Sequence, residues 1–207
     1  MRRSLAVLAL LLACSLLAAT GCSKKPDVAN APVQGSDSWH PFDPAVTLHY
    51  NAFLTGETQT SGTVEVTFRR EYFIDRECSV VSVRSAMPQF NLDDYFYEME
   101  GDLFLLGHKV PAVASETPYY EPPIQFLRHR MEFNDSWKYT GVVGGCEAGN
   151  LTVTTHVLGI SRVITPAGEF ECICIEREGR VDGETETDTC WYARGVGLVK
   201  KVTDSFV

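Results

Sequence analysis

The chain has 207 residues, seven cysteines and a formal net charge of -9. With 44% hydrophobic and 22% charged residues it lies near the globular average, which excludes full disorder and a multi-span membrane protein. The acidic balance argues against a nucleic-acid partner, which selects for a basic face.

Arg2 and Arg3 open the chain, Leu5 to Leu12 is an unbroken apolar run, and small residues lead to Gly21 and Cys22. A positive start, an apolar stretch and a small-residue end predict a secretory signal peptide over residues 1–21, cleaved between Gly21 and Cys22. Ala19-Thr20-Gly21-Cys22 resembles the lipobox of bacterial lipoproteins, with Ala19 where that box prefers Leu. A rival box ending at Cys14 would leave a very short apolar run before it. The resemblance implies that the Cys22 thiol receives a diacylglyceryl group and becomes the first residue of the mature chain. Two or three palmitate-class chains anchor stably where one is marginal. Ser23 follows, not Asp, so the resemblance also implies the outer membrane, facing the periplasm.

Cleavage removes 21 of the 207 residues and leaves 186. The loss of Arg2 and Arg3 carries the charge from -9 to -11. Residues 22–38 then read as a lipidated cysteine and a flexible tether, rich in Lys, Pro, Asp, Asn, Gly and Ser. As a coil it spans roughly 20–25 Å. Lys24 and Lys25 lie where they meet anionic lipid.

From residue 39 to 207 a single β-rich domain is expected. Val46, Leu48, Tyr50 and Ala52 alternate with polar residues, as do Val64, Val66 and Phe68, and Leu151, Val153, Thr155 and Val157. Thr55-Gly56, Gly101-Asp102, Gly144-Gly145, Pro166-Ala167-Gly168 and Asp182-Gly183 supply turns. This spacing predicts an all-β domain of antiparallel hairpins with minor helix, at Pro123–His129 and Leu92–Met99. The apolar faces must be covered, by a strongly curved half-barrel sheet or by a sandwich.

The last third carries Thr165-Pro166-Ala167-Gly168-Glu169-Phe170, then Cys190-Trp191-Tyr192-Ala193-Arg194-Gly195-Val196-Gly197-Leu198-Val199-Lys200. Upstream stand Pro122-Pro123 and Asn134-Asp135-Ser136-Trp137. These segments resemble a little-characterised group of bacterial exported proteins and lipoproteins. Asn134 replaces the usual Gly before Ser-Trp, and Arg194 stands where Pro or Lys is common. The resemblance implies one curved antiparallel sheet domain in the cell envelope, with no catalytic residue to carry over. Gly195 and Gly197, two apart, predict a bulge or close approach in one strand. Trp137, Trp191 and Tyr192 are the candidate ligand-facing aromatics, with a packed sheet as the plainer reading.

Export permits disulfides among Cys78, Cys146, Cys172, Cys174 and Cys190. A hairpin turning near Val181 would oppose Cys190 to Cys172, and one centred on Asp182 would oppose it to Cys174. A disulfide from Cys190 to one of the two is expected. A metal site is not expected, because CxxC and paired histidine spacings are lacking. No cofactor fingerprint or nucleophile elbow appears. Glu184, Glu186 and Asp188 are expected on one solvated strand face.

The sequence therefore predicts a membrane-anchored, non-enzymatic envelope lipoprotein. It would bind an apolar ligand such as a lipid, bind an envelope protein partner, or serve as a structural module. An envelope hydrolase with dispersed catalytic residues is the alternative; a concave site holding a polar group of shifted pKa would favour it.

Overall fold

Apolar residues that recur at every second position present one face to a core only when the backbone is extended. The computed structural model describes residues 38–54, 60–86, 91–111, 117–145, 149–181 and 184–205. The proposed leader, Cys22, most of the tether and Cys146 lie outside the described residues. The strands are β1 (Thr47–Leu54), β2 (Thr60–Phe73), β3 (Arg76–Ser85), β4 (Leu92–Met99), β5 (Asp102–Lys109) and β6 (Tyr119–Leu127). β7 (Ser136–Gly144), β8 (Gly149–Thr165), β9 (Gly168–Val181), β10 (Glu184–Ala193) and β11 (Gly197–Ser205) complete the series.

Each strand pairs antiparallel with its sequence neighbours, so the sheet runs in order from β1 to β11. The all-β antiparallel plan is thus observed. The Tyr50 hydroxyl on β1 donates to the Leu198 carbonyl on β11 at 2.7 Å. Eleven flat strands would hold their edges roughly 48 Å apart, so the sheet must bend for this contact to form. No β1–β11 ladder closes it among the described residues.

The two expected helical segments are strands, and no helix occurs among the described residues. Leu92–Met99 is β4. Neighbouring residues of the strand face opposite ways, so Phe96 enters the main core and Tyr95 packs on the outer face beside Cys78, Val80 and Leu106. Burial on both faces erases the alternation and mimics a helical stripe. Pro123 to Leu127 belongs to β6, and His129 lies in the bend that follows. β6 pairs with β7 only through Tyr119–Glu121. Pro122 and Pro123, which have no N–H to donate, stand where that ladder stops.

The Pro166-Ala167-Gly168 turn joins β8 to β9 as expected, and Gly168 adopts φ 142°. Gly195 does not lie in a strand: it occupies the β10–β11 turn with φ 69°, and Gly197 opens β11 with φ 93°. Asn134 adopts φ 70°, which Gly takes freely and Asn tolerates.

Side chains from all eleven strands meet in one apolar core. A segment before β1, residues 38–46, straps across it. Ser38 accepts from the Gly195 amide at 2.9 Å, and the Trp39 indole donates to the His129 carbonyl at 3.1 Å. The Arg194 guanidinium lies 4.0 Å from the Trp39 ring, and Trp39, Phe42 and Val46 pack on the core.

Candidate functional site

The β9–β10 register decides what faces inward. Cys190 pairs with Ile175, Asp188 with Arg177 and Glu186 with Gly179. The hairpin is therefore shifted by one residue from the register that would oppose Cys190 and Cys174. A one-residue shift exchanges the faces of a strand. Cys190 joins the inner core, whereas Cys172 packs on the outer face with Ala193 and Val199. Cys174, paired with Trp191, shares the outer face. The expected Cys190 disulfide is corrected accordingly: Cys78, Cys172, Cys174 and Cys190 are buried free thiols. Burial pushes the Cys172 and Cys174 thiols up to about 11, and raises Cys190 by the same cause.

The same register overturns the solvated acidic face. Glu186 is 6% exposed, and the Asp188 carboxylate holds Lys201 at 2.9 Å inside the protein. Asp188 also accepts from the Thr203 hydroxyl at 2.6 Å.

Inside the curved sheet lies a cavity of about 150 Å³. One wall is apolar, with Leu48, Val66, Phe68 and Phe96 among its side chains. The other wall, on β9 to β11, carries Arg177, Gly179, Glu186, Asp188, Tyr192 and Lys201. Most of the charge lies on the β9–β11 side; Asp94 of β4 is the one carboxylate lining it elsewhere among the described residues.

Arg177 meets two partners and keeps one donor unmatched. Its Nη2 donates to the Phe126 carbonyl at 3.0 Å, and its guanidinium stands 3.9 Å from the Phe126 ring centroid. It also meets the Tyr192 hydroxyl, whose own ionisation burial pushes well up. Its Nε is buried with no hydrogen-bond partner among the described residues. Gly179, two positions along the same strand face, leaves the wall bare: a Cβ built there meets no atom within 4 Å.

The strap contributes His40. Its ring stacks on Phe42 at 4.6 Å and lies within 6.3 Å of Phe68, Phe96 and Tyr192. The residue as a whole is half-buried, but its Nδ1 is sealed from solvent without a partner. Burial lowers its pKa to about 4, so the ring is neutral at pH 7. His108 is lowered to about 4 by the same cause, and its Nδ1 lies 2.6 Å from the hydroxyl of Tyr120, another cavity residue.

Of the three candidate aromatics, the structure places Tyr192 in the cavity wall. Trp137 is buried in the core, donates to the Gln125 carbonyl at 2.8 Å and lies under Arg128. Trp191 faces out, under Lys200. Neither lines the cavity. Sequence reading missed Arg177, Gly179 and Lys201; the bare glycine inside a β-branched strand was the available signal. Among the described residues no cluster of three or more His, Cys, Asp or Glu could hold a metal.

No protein-family model matches the chain, and no curated protein or solved structure is detectably similar to it.

Proposed function

We propose that the chain is a lipid-anchored envelope protein, held at the outer membrane through Cys22, whose β domain carries a small apolar molecule in its interior without chemically changing it. The cavity of about 150 Å³ inside the curved sheet carries this reading. Native interiors are packed to the density of organic crystals, and voids of this size are few. The lipobox-like Ala19–Cys22, and the C-terminal resemblance to exported lipoproteins, support the anchored setting. The hydrolase alternative finds its concave site with His40 in it, but no activated nucleophile lines it among the described residues. Cys190 lines the cavity, yet burial holds it as the thiol, and only the thiolate attacks well.

Two measurements test the reading. The protein purified from membranes, and extracted for mass spectrometry, is expected to release a reproducible small apolar molecule. Gly179→Leu, which fills the bare wall, is expected to abolish that release while leaving the fold intact. Release of nothing from wild type would overturn the carrier reading. Cys22→Ala is expected to lose acyl labelling and membrane fractionation; normal labelling of that variant would overturn the anchor.

A further inference from the structure

Resting on the interior-binding reading above, we propose that the cavity takes a single-chain anionic amphiphile, a short acyl carboxylate, with its head on Arg177 and its tail against Leu48, Val66 and Phe68.

Arg177 supplies the reason for an anion. It lines the cavity, yet among the described residues it has no carboxylate within 4.0 Å. Asp188, its partner across the ladder, is committed to Lys201 and Thr203. The guanidinium spends its donors on a backbone carbonyl and a phenol, and its Nε on nothing. A partly desolvated cation without a counter-charge is costly, and a carboxylate offsets that cost through two parallel N–H donors.

The other charges fix where the head can sit. Asp94 and Glu186 also line the cavity. Their carboxylates repel an anion placed beside them, and Lys201 is already matched by Asp188. Arg177 therefore offers the favourable head position. The open space in front of Gly179 lies two residues away on the same face but directly across the ladder from Glu186, so the head sits on the Arg177 side of it and the tail turns away from Glu186.

Volume sets the chain number. A volume of about 150 Å³ is the size that admits a benzene ring, on the order of six carbons. A two-chain phospholipid does not fit; one short chain does. The apolar wall of Leu48, Val66, Phe68 and Phe96 then covers the tail.

The test uses three six-carbon probes that differ only in the head: hexanoate, hexanol and hexylammonium. Binding is measured by calorimetry on the full chain in lipid nanodiscs, with protein-free nanodiscs as the blank. Hexanoate is expected to bind about 10-fold or more tightly than hexanol, as a charge-assisted hydrogen bond implies. Arg177→Gln is expected to erase that preference, with hexanoate falling to within a few-fold of hexanol. Arg177→Lys keeps the charge and is expected to retain part of the preference; it also serves if the Gln variant fails to fold. Equal binding of the three heads, or a preference for hexylammonium, would overturn the anionic assignment and leave the interior-binding reading standing. A hexanoate preference that survives Arg177→Gln would overturn the placement of the head. Binding of none of the probes would overturn the proposal; the interior reading would then stand or fall on the release measurement and Gly179→Leu.

Discussion

The two faces of the β9–β10 hairpin are built from neighbouring residues and behave differently. The outer face carries Cys172, Cys174, Trp191 and Ala193, close-packed under Val163, Phe170 and Val199. The inner face carries Ile175, Arg177, Gly179, Glu186, Asp188, Cys190 and Tyr192, and it borders a void. Both bury thiols, but only the inner face buries charge and leaves a position without a side chain. The outer cluster packs the hairpin against its neighbouring strands. Void, bare glycine and under-satisfied cation coincide on the inner face, and it is there that we propose a ligand sits.

The largest expected effect tests the packed part of the inner face. Ile175 is 0% exposed. Ile175→Ala is expected to cost about 2–5 kcal/mol in urea unfolding, because its rigid strand neighbours cannot collapse into the gap. A cost near zero would mean that the inner wall is already loose at Ile175 and that the contrast between faces is misplaced.

Acid is expected to act on the inner face before the outer. In the folded protein His40 and His108 have pKa values of about 4, against 6.5 unperturbed. Between those values the unfolded chain binds protons that the folded chain excludes, so stability is full above pH 6.5 and falls as pH drops towards 4. The loss is on the order of 3 kcal/mol for buried His108, and less for half-buried His40. Thermal melts at pH 7 and pH 4.5 read it directly. His40→Phe is expected to flatten part of this dependence; an unchanged pH profile would show that the strap is not seated among the cavity aromatics.

A third expectation compares two glycines. A Cβ on Gly107 would stand 2.3 Å from the Pro118 carbonyl oxygen and 3.2 Å from Phe73 of the outer cluster. Backbone cannot yield there, so Gly107→Ala is expected to cost about 1–3 kcal/mol. Wild-type stability in that variant would show that the strands move apart more easily than a packed outer face allows.

Much of the fold was legible because Val64, Val66 and Phe68, and Leu151, Val153 and Val157, alternate cleanly along strands with one core face. Legibility failed where both faces are buried, as at Tyr95 and Phe96, and where Pro122 and Pro123 interrupt a ladder. The candidate site was harder to read. It depends on which of two adjacent registers the β9–β10 hairpin adopts, and the composition of the arms suits either. One residue of slip sent Cys190, Glu186 and Asp188 inward and left Cys172 outside. Arg177 looks like any charged residue of a polar strand until Asp188 is seen to be taken by Lys201.

The smallest effect is the most diagnostic, because its sign is opposite to that at Gly107. Gly179 has no neighbour within 4 Å of a built Cβ and does not need positive φ. Replacing a strand glycine with Ala lowers the entropy of the unfolded chain and adds a methyl group to the wall. Gly179→Ala is therefore expected to stabilise by about 0.5–1 kcal/mol, read as a raised urea midpoint with an unchanged slope. The added methyl narrows the void, so the same variant is expected to bind hexanol more weakly than wild type. Stability gained at the cost of binding is the signature of a position left empty for a ligand. A gain in stability with undiminished hexanol binding would place the ligand elsewhere in the cavity. A loss of stability would mean that the space beside Gly179 is not open in solution.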